Sequence, residues 1–427
     1  MSKLDKKPRR DFLKKTFCMG CSFALFPYSS NLFAETGSES KVYYYDSDKI
    51  DTELYLEKVG NSFSGYRFSD IKQKLPLVKC EYYKKLAGNK VLCELCPNNC
   101  VIKKDKKGRC LTRINVQGEL YTQAYGLTNT YLMKTNDFCH PLVFHTCEKN
   151  ILNVGLIGCG LRCTFCFIGS VVQSDPEYII SEHIPPQAVI DRAVREKASF
   201  IRFTHNEPTN NYEYTLAIAK LARRKGLKTY LQTSGYVNPK PFEKLLNYIN
   251  IVDVNLKCFS ENGYKKYTSG SLKPILNNIL TIHKKNIPFQ ISYLLLPTIS
   301  DNRVDIHNMA IWIKENVGPY TPVYFLRYYP SFKLKNLPPT SLSSLENTNA
   351  IAKKAGLKFS NIYLGIWYGI ENYFKAPEPM RTLNCPYCGE MVLQHKLEKG
   401  SPVFINNLNG PECKWCGKKL PGVTSVL

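Results

Sequence analysis

Residues 150 to about 370 alternate short runs rich in β-branched and aromatic residues with amphipathic stretches of helical period. Such alternation is typical of repeated βαβ units built around a parallel sheet. The runs predict six strands, near residues 151–157, 199–204, 228–233, 251–256, 288–296 and 322–327. We therefore expect an α/β fold, a partial (β/α)6 barrel of TIM-like type that is open on one side, where a bulky substrate can enter.

A polar or glycine-containing motif follows each predicted strand. In a barrel of parallel strands the carboxyl ends meet on one face, and sites are built there. The motifs are residues 159–166, 204–209, 233–235, 255–257, 296–301 and 327–330. The sequence therefore predicts that the six motifs converge on one site.

The first motif is a Cys-x3-Cys-x2-Cys cluster formed by Cys159, Cys163 and Cys166. Three thiolates that lie close in sequence, with no fourth at matching distance, suit a cubane 4Fe-4S cluster in which one iron is left open for chemistry. A structural zinc knuckle is the alternative. Three close cysteines after a strand, with Gly158 and Gly160 on both sides of the first, argue against zinc.

Composition narrows the classes of function. The chain has 427 residues, of which 44% are hydrophobic, which is enough for one large α/β domain with appendages. No run of about 20 apolar residues predicts a transmembrane segment. The formal net charge of +23 fits a nucleic-acid or anionic-membrane partner. The lysines are spread along the chain among many Asn, Ile and Tyr residues, which indicates a general composition bias, so we do not expect nucleic acid.

Seventeen cysteines are many, and eleven of them fall into three sets with metal-ligand spacing. This indicates metal sites, because disulfide frameworks belong to small secreted domains. The second set lies in a Cys-rich N-terminal extension, residues 41–149, and comprises Cys93, Cys96, Cys100 and Cys110. Zinc in a closed four-thiolate site is the first choice for this set, and a second iron–sulfur cluster is the alternative. Cysteines without a ligand are the third interpretation.

The third set lies in the C-terminal segment, residues 371–427. Cys385 and Cys388, then Cys413 and Cys416, form two Cys-x2-Cys-Gly knuckles. Knuckles that turn on glycine and direct all four thiolates at one ion predict a zinc ribbon. Such a ribbon can recognise a partner or act as a structural cap.

Residues 1–40 do not have the pattern of a folded element. Arg9 and Arg10, followed by Phe12 and Leu13, match a twin-arginine export signal, with a short apolar stretch after them and small residues ending near Ala34. The alternative is a chance Arg-Arg pair in a basic, disordered N-terminus. We expect export to the periplasm in the folded state, with a cytoplasmic location as the alternative.

With these elements in order, the chain resembles the radical S-adenosylmethionine (SAM) enzyme of the AmmeMemoRadiSam system, a branch similar to the pyruvate formate-lyase activating enzymes. The resemblance runs from about Cys93 to Val423. It rests on the L-C-x-L-C-P-x-x-C opening, the G-x-C-x-x-R-x-N-x-x-G-x-L-Y that follows, the three-cysteine cluster, N-E-P-T, L-K, L-L-P and a terminal ribbon ending in L-P-G-V. Together these motifs are specific, whereas each alone is weak.

The resemblance implies a cofactor and roles for several residues. Cys159, Cys163 and Cys166 would hold the 4Fe-4S cluster, whose open iron chelates SAM. By similarity, the remaining cofactor-binding residues are Phe165 against the adenine, Asn206, Glu207 and Pro208 at the SAM amino group, and Asn255 and Lys257 near the methionine carboxylate and ribose.

Four departures from the family pattern stand out. Asn255 replaces an Asp, which removes a negative charge, and Gly160 stands where the branch usually has Asn. Residues 167–170 replace the Gln-Asn that commonly follows the cluster, and His205 stands where Tyr is usual. The substrate is therefore expected to differ from that of the relatives.

The leading functional hypothesis is an enzyme that reductively cleaves SAM and uses the 5'-deoxyadenosyl radical to abstract hydrogen, as an activase of the glycyl-radical type for a partner protein. An electron-donor protein and a protein substrate would be its partners. Two alternatives are an RNA- or cofactor-modifying radical SAM enzyme and a metal-binding protein without catalysis. Salt-dependent RNA binding would support the first alternative, and failure to form 5'-deoxyadenosine would support the second.

Overall fold

A computed structural model describes residues 67–134, 150–180, 183–364, 377–398 and 401–421. The twin-arginine segment predicted in residues 1–40 lies outside the described residues, as does the first part of the N-terminal extension. In the described ranges, no helix is both long and apolar enough to cross a membrane.

The N-terminal segment consists of short antiparallel strands. They are β1 Arg67–Phe68, β2 Val78–Lys79, β3 Tyr83–Leu86, β4 Lys90–Cys93, β5 Val101–Ile102, β6 Arg113–Val116 and β7 Glu119–Thr122. One sheet has the order β3-β4-β5 and the other β2-β7-β6. Asn89 and Gly118, both with positive φ, lie in the tight turns that join β3 to β4 and β6 to β7. Val91 and Leu120 are buried in the main hydrophobic core, so this segment packs on the central domain.

An eight-stranded sheet forms the centre of the protein. Its strands are β8 Thr128–Lys134, β9 Asn150–Leu156, β11 Phe200–Thr204, β12 Lys228–Thr233, β13 Ile251–Leu256, β14 Phe289–Leu295, β15 Val323–Arg327 and β16 Ser360–Tyr363, while the short β10 Ile179–Ile180 pairs with β1. The order is β16-β15-β14-β13-β12-β11-β9-β8. The seven strands from β9 to β16 in this sheet are parallel, and β8 is antiparallel to β9.

The six predicted strands are confirmed to within about one residue at each end, but the predicted number of strands was too small. The parallel strand β16 and the antiparallel edge strand β8 were not expected. β16 has only four residues, two of them Ser and Asn, and β8 begins with Thr-Asn-Thr, so neither forms an apolar run. Pairing with a long neighbour stabilises both strands despite their weak local pattern.

One helix connects each pair of successive parallel strands. The helices are α1 Pro186–Arg195, α2 Tyr212–Arg224, α3 Pro239–Leu246, α4 Lys273–Lys284, α5 Arg303–Asn316 and α6 Leu342–Lys354. Shorter helical turns are Gly169–Val172, Pro176–Tyr178, Pro208–Asn211, Glu261–Gly263, Tyr264–Thr268, Phe332–Leu334 and Glu378–Arg381. In α4, Ile275, Ile279 and Ile282 recur on one face and are fully buried, as in an amphipathic helix packed on a sheet. The result is six βα units followed by β16.

The C-terminal segment has a small core of its own. Its strands are β17 Thr382–Asn384, β18 Met391–Glu398, β19 Ser401–Asn406, β20 Leu408–Asn409 and β21 Glu412–Cys413. The first three form an antiparallel sheet, and β20 pairs with β21. Phe359, which precedes β16, belongs to the same buried cluster as Leu383 and Val392. The ring of Tyr387 also lies 4.9 Å from that of Tyr320, which is in the loop before β15. The segment therefore packs against the α/β domain near the starts of β15 and β16.

Candidate active site

The carboxyl ends of the parallel strands enclose a cavity of about 320 Å³, lined by residues of the six strands from β11 to β16 and by the loop that follows β9. Five of the six predicted motifs contribute lining residues. The motif at residues 296–301 does not. Ser300 Oγ accepts a hydrogen bond from Leu296 N at 2.9 Å and donates one to the Leu294 carbonyl at 2.8 Å. This motif is therefore a closed turn, and only Leu294 from the strand before it reaches the cavity.

Cys159, Cys163 and Cys166 all line this cavity, as predicted. Burial raises the pKa of each thiol, and that of Cys163 to about 12, while the nearby charge of Lys257 lowers the pKa of Cys163 and Cys166 by a smaller amount. Without a ligand the three thiols are therefore protonated at neutral pH. A metal centre stabilises the thiolate form, and the positive charge of Lys257 favours the same form.

The loop that carries these cysteines lies against the N-terminal segment. Gly158 has a φ of 78°, and a Cβ atom there would lie 2.2 Å from Thr112 Cγ2. A Cβ atom at Gly160 would lie 3.1 Å from Asn98 Nδ2 and 3.4 Å from Cys96 Sγ. Glycine at these two positions therefore allows a close approach between loops, and the Asn usual at position 160 would have to displace Asn98.

Three residues assigned to SAM by resemblance also line the cavity: Phe165, Asn255 and Lys257. Phe165 is buried, so its ring forms an apolar wall beside the cysteines. The backbone N–H of Lys257 donates to the hydroxyl of the fully buried Tyr264 at 3.0 Å. This bond fixes the backbone from which the ammonium group extends.

Asn206 lines the cavity through an amide that is anchored on one side. Its Nδ2 donates to the carbonyls of Ile157 and Gly158 at 2.9 and 2.6 Å. Its Oδ1 is buried and accepts no hydrogen bond from the described residues. A buried acceptor of this kind is suited to the amino group of a ligand.

Glu207 also lines the cavity, but protein groups occupy both of its carboxylate oxygens. Oε1 accepts from Thr209 N, Thr209 Oγ1 and Thr233 Oγ1, and Oε2 accepts from Ser234 N and Ser234 Oγ. Glu207 therefore joins the loop after β11 to the end of β12. Pro208 does not line the cavity, and its carbonyl accepts from Thr215 Oγ1 at 3.0 Å.

Sequence reasoning missed the polar residues on the strands themselves. Arg202 and Gln232 line the floor of the cavity, and Arg202 Nε donates to Asn153 Oδ1 at 2.6 Å. Gln232 Nε2 donates to the Asp253 carboxylate at 3.3 Å. Burial raises the pKa of Asp253 to about 6. The charged residues Arg202 and Asp253, inside the mostly apolar strands β11 and β13, were the signal that could have identified members of this network.

The four C-terminal cysteines come together as predicted. The Sγ atoms of Cys385, Cys388, Cys413 and Cys416 all lie within 4.8 Å of one another. The distance is 3.7 Å between Cys385 and Cys416 and 3.8 Å between Cys388 and Cys413. A tetrahedral ion with metal–sulfur bonds of about 2.3 Å places its thiolates at this separation. The segment is therefore compatible with a metal-binding site.

The N-terminal cysteines also come together, but in another arrangement. Cys93, Cys96 and Cys110 are buried and Cys100 is half-buried. All four line a second, smaller cavity. Among the described residues, only the C-terminal four form a group with all ligand atoms within 4.8 Å. The N-terminal thiols therefore surround a space instead of meeting at one point.

Comparison with known families assigns the central domain to a superfamily. Residues 155–310 match the family described as the Radical SAM superfamily. The central domain is a radical SAM domain. Its three-cysteine motif is the loop after β9, and the match continues through β11, β12, β13 and β14 into α5.

Known relatives support this assignment. The chain is 27% identical over 339 residues to an uncharacterized protein of Methanocaldococcus jannaschii, covering 79% of this chain and 97% of that protein. It is 24% identical over 178 residues to the pyruvate formate-lyase-activating enzyme of Clostridium pasteurianum, covering 40% of this chain and 72% of the enzyme. It is 31% identical over 114 residues to the (2S)-3-sulfopropanediol dehydratase activating enzyme of Klebsiella oxytoca, covering 26% of this chain and 35% of the enzyme. The protein is thus a radical SAM enzyme homologous to activating enzymes.

The residues of the cavity fit the cofactors that this superfamily implies. Among the described residues, three thiols and no fourth line the cavity, which matches a cubane with one iron free of protein ligands. The unpaired Asn206 Oδ1 offers an acceptor for an amino group. The buried ring of Phe165 offers an apolar surface for a planar base.

Proposed function

We propose that the protein holds a 4Fe-4S cluster on Cys159, Cys163 and Cys166 and reductively cleaves SAM bound beside it. The observation that carries the proposal is the set of three thiols on one wall of a cavity of about 320 Å³. When bound, the cluster supplies the electron that cleaves SAM to methionine and a 5'-deoxyadenosyl radical, which abstracts hydrogen from the substrate.

The side chains around the cluster would bind and orient SAM. Asn206 Oδ1 accepts from the amino group, and Phe165 packs on the adenine. The positive charge of Lys257 acts on Cys163 and Cys166, and its ammonium group would pair with the methionine carboxylate. Asn255, which is neutral, donates to or accepts from the ribose. Glu207 acts through its neighbours, because its hydrogen bonds hold the loop that carries Asn206.

We further propose that the sheet is a partial (β/α)6 barrel of the radical SAM type, extended by β16. Support comes from the lining of the cavity, since residues from six parallel strands and from the loop after the seventh reach one space only if the sheet curves around it. Among the described strands, the edge strands β8 and β16 each pair with a single neighbour, which supports an open barrel. An opening between them admits part of a macromolecule.

We propose a protein as the substrate, modified by hydrogen abstraction as in a glycyl-radical activase of the AmmeMemoRadiSam branch. Support comes from the two named relatives, which are activating enzymes of a lyase and a dehydratase. A one-electron donor protein is then the second partner, because each SAM cleavage consumes one electron.

We propose that the C-terminal segment is a zinc ribbon with a structural role. The Sγ–Sγ distances of 3.7 and 3.8 Å support zinc, and four thiolates leave no open coordination position for catalysis. The small apolar core of this segment explains the need for a metal, because a segment of this size buries too little surface to fold alone.

The test is SAM cleavage by the protein reconstituted with iron and sulfide without oxygen. With SAM and dithionite, the wild type should form 5'-deoxyadenosine and methionine. Cys163→Ala should lose about four irons per chain and all cleavage, because the cubane loses one of its three anchors. A Cys163→Ala protein that still cleaves SAM would refute the assignment of the site.

Cys258→Ala is the matched control. Cys258 is buried and follows Lys257 in the chain, but it does not line the cavity. This variant should keep its iron and its cleavage rate. The protein substrate can then be sought by incubating the active enzyme with candidate partner proteins and deuterated SAM, and measuring exchange of deuterium between the partner and 5'-deoxyadenosine.

A further inference from the structure

The second cavity is lined by a complete set of four thiols from the N-terminal segment. Cys93 ends β4, Cys96 and Cys100 lie in the turn before β5, and Cys110 lies in the loop before β6. The turn is held by bonds of its own backbone, from Cys93 N to the Cys100 carbonyl at 2.9 Å and from Asn99 N to the Cys96 carbonyl at 3.0 Å. The thiols are therefore positioned by local structure and not by chance.

The spacing of the four sulfurs separates this site from the C-terminal one. At the C-terminal site the sulfurs lie at the distances that a single tetrahedral ion requires. Among the described residues, the Sγ atoms of the N-terminal cysteines do not all lie within 4.8 Å of one another, as those of the C-terminal cysteines do. A cubane holds its four thiolates further apart than one ion does, because each thiolate binds a different iron. The wider arrangement therefore favours a cluster over zinc.

Two unpaired hydrogen-bond donors also line the second cavity. Arg113 is fully buried, and its Nη1 and Nη2 donate to the Glu81 carbonyl at 2.9 Å and to Glu213 Oε1 at 2.6 Å. Within the described part of the chain, neither its Nε nor Nδ2 of the buried Asn210 has a hydrogen-bond partner. A buried donor without a partner is energetically unfavourable, so both donors call for an acceptor in the cavity.

Sulfur atoms of a cluster would be such acceptors. Two cysteine sulfurs here already accept hydrogen bonds, Cys110 Sγ from Thr112 Oγ1 at 3.3 Å and Cys96 Sγ from Asn98 Nδ2 at 3.6 Å. Hydrogen bonds to sulfur and burial are the protein features that tune an iron–sulfur centre. A single zinc ion presents no sulfur beyond its four ligands, so it would satisfy fewer of these donors.

We propose that Cys93, Cys96, Cys100 and Cys110 bind a second iron–sulfur cluster, to whose sulfur atoms Arg113 and Asn210 donate hydrogen bonds. The site adjoins the radical site, because Asn98 Nδ2 donates to the Gly160 carbonyl at 2.8 Å and Gly160 N donates to Asn210 Oδ1 at 2.6 Å. Gly160 follows Cys159 directly. The two sets of ligands are thus held on hydrogen-bonded loops.

The first measurement is the metal content of the full chain after anaerobic reconstitution. We expect about eight irons, with matching acid-labile sulfide, and about one zinc per chain. About four irons and two zinc ions would mean that the N-terminal set holds zinc. About four irons and one zinc would mean that it holds no metal. Either of these results overturns the proposal.

A triple variant separates this proposal from the proposed function. Replacing Cys159, Cys163 and Cys166 by Ala removes the radical site, and we expect the remaining protein to keep about four irons and the electron paramagnetic resonance signal of a reduced cluster. Adding Cys96→Ala to the triple variant should abolish both the remaining iron and the signal. A triple variant without iron overturns the second cluster. If the wild type still cleaves SAM in that case, the assignment of the radical site stands.

Asn210→Asp tests the hydrogen bonds within the triple variant. This change keeps the oxygen that accepts from Gly160 N, removes the donor and adds negative charge beside the cluster, so the midpoint potential should fall without loss of iron. Asn316→Asp, an exposed position on α5, is the control and should leave the potential unchanged. Equal midpoint potentials in the two variants would refute the role of Asn210.

Discussion

Glu207 supports the candidate active site by holding neighbouring residues in place. Its carboxylate accepts five hydrogen bonds, all from Thr209, Thr233 and Ser234. Each hydrogen bond to a charged group contributes about 1.5–3 kcal/mol, and the donors would be left buried without it. Glu207 therefore fixes the end of β12 relative to the loop that carries Asn206.

Glu207→Gln should lower the free energy of unfolding by about 2–4 kcal/mol, because an amide offers one acceptor oxygen instead of two. Urea unfolding of the reconstituted protein measures this change. Glu346→Gln, at an exposed position on α6, is the control and should change stability by less than about 0.5 kcal/mol. Equal midpoints for the two variants would contradict the supporting role.

His205 is held in an unusual conformation beside the cavity. Its φ is 77°, and burial, together with the charge of Arg202, lowers its pKa to about 4. Because the folded pKa lies below the ordinary value, the folded state favours the neutral imidazole. Its contribution to stability is complete above about pH 6.5 and is lost as the pH falls toward 4.

His205→Asn should remove this pH dependence, since Asn does not titrate and tolerates a positive φ. Between pH 7 and pH 4, the wild type should lose stability relative to the variant. Chemical unfolding of both proteins at a series of pH values measures the difference. A difference that stays constant over this range would show that His205 does not titrate as its burial predicts.

At the scale of elements, the proposed zinc would matter most for the C-terminal segment and less for any strand of the central sheet. Its core consists of a few residues, including Leu383, Val392 and Phe359. If zinc is bound as proposed, most of the folding free energy of this segment would come from the four bonds between zinc and the thiolates.

Cys413→Ala should lose one zinc per chain and raise amide hydrogen exchange across β17 to β21 by about tenfold or more, since loss of about 1.4 kcal/mol of local stability has this effect. Exchange in β9 to β15 should not change, because the central core is separate. Exchange mass spectrometry of the full chain measures both regions. Unaltered protection of β18 and β19 would show that the ribbon folds without zinc.

The sequence predicted elements with strong periodic patterns and missed those that depend on neighbours. The strands of the six βα units are apolar runs, so their positions could be predicted from residue pattern alone. β16 and the small N-terminal sheets have short, mixed sequences, and their pairing is decided by the core that they cover.

The same distinction holds for the site. The cysteine ligands follow from spacing, because a metal centre constrains nearby residues. The network below them follows from register: Arg202 lies directly opposite Asn153 on β9 and Tyr230 on β12, and Gln232 lies opposite Asp253. Register across a parallel sheet cannot be derived from one strand at a time, so these partners could not be predicted.

At the scale of the whole molecule, we propose from the sequence that the chain is exported with its cofactors in place. The Arg9-Arg10 pair is the signal, and a twin-arginine route would accept a folded protein. In cells that make the wild type, we expect the protein in the periplasm with an N-terminus after about Ala34.

Replacing Arg9 and Arg10 by Lys should move essentially all of the protein to the cytoplasm, because the receptor recognises the arginine pair. Cell fractionation with N-terminal sequencing measures location and processing together. If both proteins remain in the cytoplasm and begin at Met1 or Ser2, the pair is not a signal in this chain.

The contact between the two cysteine loops also makes them thermodynamically dependent on each other. Gly160 is bonded to both Asn98 and Asn210, and the guanidinium of Arg162 bridges the carbonyls of Cys159 and Arg109. Ordering one loop therefore removes part of the entropic cost of ordering the other, which would give positive cooperativity between the loading of the two proposed centres. By the same linkage, loss of one of the two proposed centres would weaken the retention of the other without abolishing it.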